Sequence, residues 1–142
     1  MPYEDLLGQG RLAQQPPSSK AIQDLFSLAE RDIHVAEHTL EVDPDWAFNI
    51  AYNAVLQAAR AFVLSEGYRT RGADQHATVV LFLKRALGER LAGEIATFDQ
   101  MRRKRHRAVY EASGRIGAAE ATQAVAFAGE FLVNMRGMIK KP

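Results

Sequence analysis

Cysteine is absent from the 142 residues of this chain. Its absence excludes disulfides and thiolate metal ligands, and it fits a cytoplasmic protein. No window approaches the roughly 18 apolar residues needed to cross a bilayer. The N-terminus has no basic start followed by an apolar run, so neither a membrane span nor a signal peptide is expected. Strand alternation of useful length is missing, as are internal repeats and low-complexity blocks. Neither GxxxxGK[ST] nor GxGxxG occurs, which removes the common phosphate-cradling loops. What is present is 47% hydrophobic and 25% charged, the balance of a chain that folds around one core as a single domain.

Helical periodicity runs through most of the chain. Residues 1–19, with Gly8, Gly10, Pro16 and Pro17, are expected to form an irregular arm with at most a short turn at Tyr3–Leu7. Residues 20–140 are expected to form one helical domain. Ser18 or Ser19 is a candidate N-cap. After it, Ile22, Phe26, Ala29, Ile33, Ala36 and Leu40 recur at steps of three and four, one buried stripe of a helix that ends before Asp43-Pro44. A second helix, about Trp46 to Glu66, carries the row Ala51, Ala54, Ala58, Ala61 and is apolar around much of its circumference, so it is expected to be the most buried. Gly67 suits its C-terminal cap, and Tyr68–Gly72 reads as a basic loop. Further helices are expected over about Asp74–Leu87, Glu94–Ala112 and Ala118–Lys140. The last bears Val125, Ala128, Leu132, Met135 and Ile139 at bundle-like spacing. The fold class is all-α: a four- to five-helix, largely antiparallel up-and-down bundle.

Charge is unevenly spread. Residues 1–50 hold nine acids and three bases, a balance of −6, and residues 51–142 hold fifteen bases and eight acids, a balance of +7. One face of the fold is therefore expected to be electropositive. The run Arg102-Arg103-Lys104-Arg105-His106-Arg107 packs five of the 18 Lys and Arg residues into a helical stretch. Like charges at helical neighbour spacing repel, so such a run marks either a solvated face or a site for an anion, RNA or DNA above all.

Helical angles separate these cations. Phe98, Met101, Arg105, Ala108 and Ala112 form a 3-4-3-4 stripe aimed at the core, and Arg105 interrupts it. Arg102, His106 and Tyr110 border that seam, whereas Lys104 and Arg107 read as surface charges. An arginine on an apolar stripe needs a partner, since burying an unpaired charge is expensive. Three resolutions are open: a carboxylate such as Glu30 or Glu37, snorkelling to the surface, or a cleft that receives a phosphate, which the planar guanidinium fork suits. His106, with an imidazole that ordinarily titrates near ~6.5, suits acid–base work. Tyr110 can donate a hydrogen bond or stack on a base.

Other histidines carry less. His34 and His38 are an i, i+4 pair on one helix face, without the HExxH pattern of a metalloprotease. They read as solvated, and no metal or other cofactor is expected. His76 near the basic loop is assigned no chemistry.

Two stretches make the chain resemble the HEPN domain family (higher eukaryotes and prokaryotes, nucleotide-binding). One is the second helix, Ala51-Tyr52-Asn53-Ala54-Val55-Leu56-Gln57-Ala58-Ala59-Arg60-Ala61-Phe62-Val63-Leu64-Ser65-Glu66-Gly67-Tyr68-Arg69, followed by His76 and Val79–Leu83. The other is Arg102–Glu111, similar to the family's signature helix. The resemblance covers residues 20–140 and implies a four- or five-helix bundle that usually dimerises. Many such proteins are metal-independent ribonucleases in toxin or defence systems, and others bind nucleotides or partner proteins without catalysis. The family's active pattern is an arginine, a polar residue, three more positions and a histidine. Laid on this chain, Arg105 matches the arginine and His106 the polar position, but the histidine position falls on Tyr110. Tyrosine ordinarily titrates near ~10 and is a poor base at neutral pH.

The resemblance therefore implies binding of RNA or a nucleotide through a basic groove containing Arg102, Arg105, His106 and Tyr110. Ribonuclease activity is expected to be weakened or lost, in a toxin–antitoxin or stress-related setting. Two other readings stay open. One is an active metal-independent endoribonuclease with Arg105 and His106 as catalytic residues. The other is a non-catalytic module, a homodimer or the partner of a nucleotidyltransferase-like protein.

Overall fold

The computed structural model describes residues 2–110 and 116–139, of which 106–110 are described by backbone alone. Six helices and two short strands follow one another: α1 (Glu4–Gly8), β1 (Leu12–Gln14), α2 (Ser19–Thr39), α3 (Pro44–Ser65), β2 (Tyr68–Thr70), α4 (Gln75–Leu87), α5 (Ala92–Tyr110) and α6 (Ala118–Met138). The long helices form the expected all-α bundle, with one helix more than the four or five anticipated.

Local signals set the helix ends. The Ser18 side chain accepts a hydrogen bond from the Ala21 amide at 3.2 Å and caps α2. Asp43 caps α3 through the Trp46 amide at 3.1 Å, with Pro44 in the first turn, where a missing N–H costs nothing. Beyond α3, Gly67 takes φ +93°, a left-handed conformation that glycine adopts without a Cβ clash.

Helix α3 is the axis of the bundle and packs against α2, α4, α5 and α6. Ala51, Ala58 and Ala61 are fully buried and Ala54 nearly so, and these short side chains let neighbouring helices approach closely. Phe26, Ala29 and Ala36 of α2 pack onto it, as do Ala128, Phe131 and Met135 of α6. On α5, Phe98 and Met101 enter the same core. They are the first two members of the predicted stripe.

The arm departs in part from the sequence expectation. Within residues 1–19, the short turn expected at Tyr3–Leu7 is the helix Glu4–Gly8, and Leu12–Gln14, expected to be irregular, is a strand. That strand pairs antiparallel with Tyr68–Thr70, a segment expected to be a loop. Tertiary contacts explain the difference. Tyr3 stacks on Phe82 of α4, with ring centroids 4.3 Å apart, and meets Tyr68 edge-on at 5.1 Å. Leu6 and Leu12 are buried. Asp5 accepts two hydrogen bonds from the Arg85 guanidinium, at 2.8 and 2.7 Å. A five-residue helix and three-residue strands are too short to show a period, and their partners lie some sixty to eighty residues away.

Candidate anion site on helices α3, α4 and α5

Three helices bring polar groups together on one side of the core. Tyr52 comes from α3, His76 from the first turn of α4, and Arg102 and Arg105 from α5. The Tyr52 ring is fully buried, so its hydroxyl needs a partner inside the fold. It finds Nδ1 of His76 at 3.1 Å. The Arg105 guanidinium lies over the Tyr52 ring, its carbon 5.3 Å from the centroid, within cation–π range. Phe98 backs the same ring at 6.0 Å.

Arg105 is the focus of the cluster. It is half-buried, and its Nε is buried without a hydrogen-bond partner. No carboxylate among the described residues pairs with it. Of the two acids considered as its partner, Glu30 instead pairs with Arg136 of α6, and Glu37 is exposed on α2. Arg102 is satisfied differently. Its guanidinium holds Asp99 one turn back, with Nε and a terminal nitrogen each 2.9 Å from Oδ1. Arg103 shares that carboxylate at 3.2 Å. Lys104 reaches Glu120 at 3.5 Å. Asp99 thus offsets part of the basic run and leaves Arg105 untouched.

A third arginine belongs here. Arg60, two turns after Tyr52 on α3, is half-buried, and none of the described carboxylates pairs with it. Burial pulls its pKa below the ordinary guanidinium value. Burial also pushes Tyr52 up to about 12, with Arg105, Arg102 and Arg60 pulling the other way. The hydroxyl therefore stays protonated. His76 is lowered, first by burial and then by Arg60, Arg105 and Arg102, so its ring is neutral at neutral pH. When Tyr52 donates to Nδ1, the other ring nitrogen carries the proton. The site is a sheltered, electropositive patch with an uncompensated guanidinium, a neutral imidazole and a protonated phenol. That combination suits an oxyanion.

Of the residues singled out from sequence, Arg102 and Arg105 meet in this patch. His106 and Tyr110 occupy helical positions on α5, and their side chains lie outside the described residues. Tyr52 and Arg60 were given no role from sequence, and His76 was assigned no chemistry. A tyrosine and an arginine inside an otherwise alanine-rich helix were the available signal, because each must find a polar outlet. Elsewhere, Nδ1 of His38 lies 2.9 Å from the His34 carbonyl oxygen. Among the described residues no three histidines or carboxylates gather as a metal-ligand set, and no helix is long and apolar enough to cross a membrane.

The helical bundle carries a cationic patch where α3, α4 and α5 meet. Residues 22–137 match the family model of the HEPN domain, and the chain belongs to that family. HEPN domains bind RNA or nucleotides, often dimerise, and are often ribonucleases or toxin-like proteins. No curated protein matches the chain.

Proposed function

We propose that this HEPN domain binds RNA or a nucleotide by a phosphate group seated against Arg105, with Arg60, Arg102 and His76 around it. The proposed binding set also includes His106 and Tyr110, which follow Arg105 in the sequence of α5. The supporting observation is the Arg105 guanidinium, stacked on Tyr52 with Nε buried and unbonded and no acid of the described fold paired to it. A buried unmade hydrogen bond to a cation costs about 1–3 kcal/mol or more, and an incoming phosphate offsets that cost through the same guanidinium. With Tyr110 at the family's histidine position, ribonuclease activity is weakened or lost. The domain then works as a binding component, as a homodimer or beside a nucleotidyltransferase-like protein, in a toxin–antitoxin or stress-related system.

Titration of single-stranded RNA at several salt concentrations tests the binding. Affinity falls linearly on a log–log plot as counterions are released. Arg105→Ala weakens binding about tenfold or more, the scale of one charge-assisted contact. Affinity indifferent to salt and to Arg105→Ala would refute the proposal.

The neutral imidazole of His76 among three arginines favours a second reading, a metal-independent ribonuclease. In that reaction Nε2 of the ring takes the proton of a ribose 2′-OH, in the tautomer whose Nδ1–H donates to the Tyr52 hydroxyl oxygen. The 2′-oxygen then bonds to phosphorus, and the 5′-oxygen leaves with a proton, giving a 2′,3′-cyclic phosphate end. Pure protein incubated with structured RNA in a chelator decides it. Cleavage lost in both His76→Ala and Arg105→Ala supports the enzyme, and intact RNA with the unaltered protein rejects it.

A further inference from the structure

A cleft of about 230 Å³ opens next to the arginine patch, where β2 and the start of α4 meet α2 and α3. Leu25, Val63 and Tyr68 give it an apolar wall, and Arg60, Thr70 and Gln75 give it a polar rim. The cleft and the patch join at two points. Arg60 lines the cleft while its charge acts on both Tyr52 and His76. Gln75 opens α4 immediately before His76.

The rim is ordered. The Thr70 hydroxyl donates to Oε1 of Gln75 at 3.3 Å, which fixes the amide and leaves its two N–H donors for another acceptor. Apolar walls with a few convergent polar groups are the usual make-up of a small-molecule site. At 230 Å³ the cleft falls below the roughly 300–1,000 Å³ that encloses a drug-sized molecule, so it suits one flat ring system. A nucleobase has that shape. It also carries donors and acceptors along its edge for an amide and a hydroxyl to read, and a face that a guanidinium can cover.

We propose that this cleft is a base pocket, and that the ligand of the site is a nucleotide whose phosphate meets the arginine patch while its base enters between Leu25, Val63 and Gln75. The inference rests on the phosphate reading of Arg105 and deepens it. Base identity, as well as charge, then contributes to affinity.

Calorimetric titration of the intact protein with ribose 5-phosphate and with the four ribonucleoside 5′-monophosphates tests it. At least one nucleotide binds about tenfold or more tightly than ribose 5-phosphate, the scale of one stacked base. Gln75→Ala and Thr70→Val, each with a cooperative unfolding transition, shrink that ratio towards one. Equal affinity for ribose 5-phosphate and all four nucleotides overturns the base pocket while the phosphate reading stands. Failure of every phosphate probe to bind overturns both.

Discussion

The hydroxyl of Tyr52 and Nδ1 of His76 meet at 3.1 Å across the interface of α3 and α4. Each group is costly to bury alone, and together they form one satisfied pair under the Arg105 guanidinium. The pair ties the acid–base state of the site to the packing of the core, so pH becomes a probe of the site's construction.

His76 has a pKa below its ordinary value of ~6.5, chiefly through burial and then through Arg60, Arg105 and Arg102. The unfolded chain therefore takes up more protons than the folded one as pH drops past ~6.5. Stability from the neutral ring is fully present above that pH and is lost as pH falls through the folded pKa. Unfolding measured between about pH 7 and pH 5 will show this loss, and His76→Gln will flatten the slope in that window. An unchanged slope in the variant would assign the effect to other groups.

Arg105→Met separates binding from stability. The substitution relieves a buried unmade donor, worth about 1–3 kcal/mol, and removes a cation–π contact, worth about 0.5–2 kcal/mol. The two nearly cancel, so denaturant unfolding shifts by less than about 1 kcal/mol while RNA affinity falls. A stability loss above ~3 kcal/mol would mean that the guanidinium is bound within the fold, as in a broken buried ion pair.

Gly72 holds φ +77°, and a Cβ there would sit 2.9 Å from the Gly10 carbonyl oxygen. Gly72→Ala therefore costs about 1–3 kcal/mol, from left-handed strain and a clash with backbone that has little room to yield. Gly93, in the first turn of α5, has nothing within 4 Å of such a Cβ. Gly93→Ala is neutral or stabilises by about 0.4–1 kcal/mol. Paired thermal melts check both signs.

The Asp5 carboxyl is held at about 2, first by its hydrogen bonds from Arg85. Its folded value is depressed, so its contribution is present above the ordinary carboxylate range and is lost as pH falls towards about 2. In a carbon-detected NMR titration, Arg85→Gln returns Asp5 to near ~3.9.

The bundle was legible wherever a period is local. The stripes on α2 and α6 and the alanine row on α3 each repeat within a single helix, and their members are buried or packed against the core as the repeats require. Arg105 was legible for the same reason, as a cation interrupting the stripe begun by Phe98 and Met101. The rest of the site was not. Tyr52 and His76 are 24 residues apart, and neither alone differs from an ordinary boundary residue. Only the packing of α4 against α3 turns them into a pair. The strand of the arm was not legible, because stacked rings and a three-rung ladder leave no period in segments this short.

The stretch shared with the HEPN family begins at residue 22, yet Tyr3 lies flat on Phe82 and Leu12 is sealed inside. An expression clone trimmed to the homology border would shed the lid of its own hydrophobic interior. The bared Phe82 and Tyr68 would invite aggregation, however faithfully the remaining helices were copied.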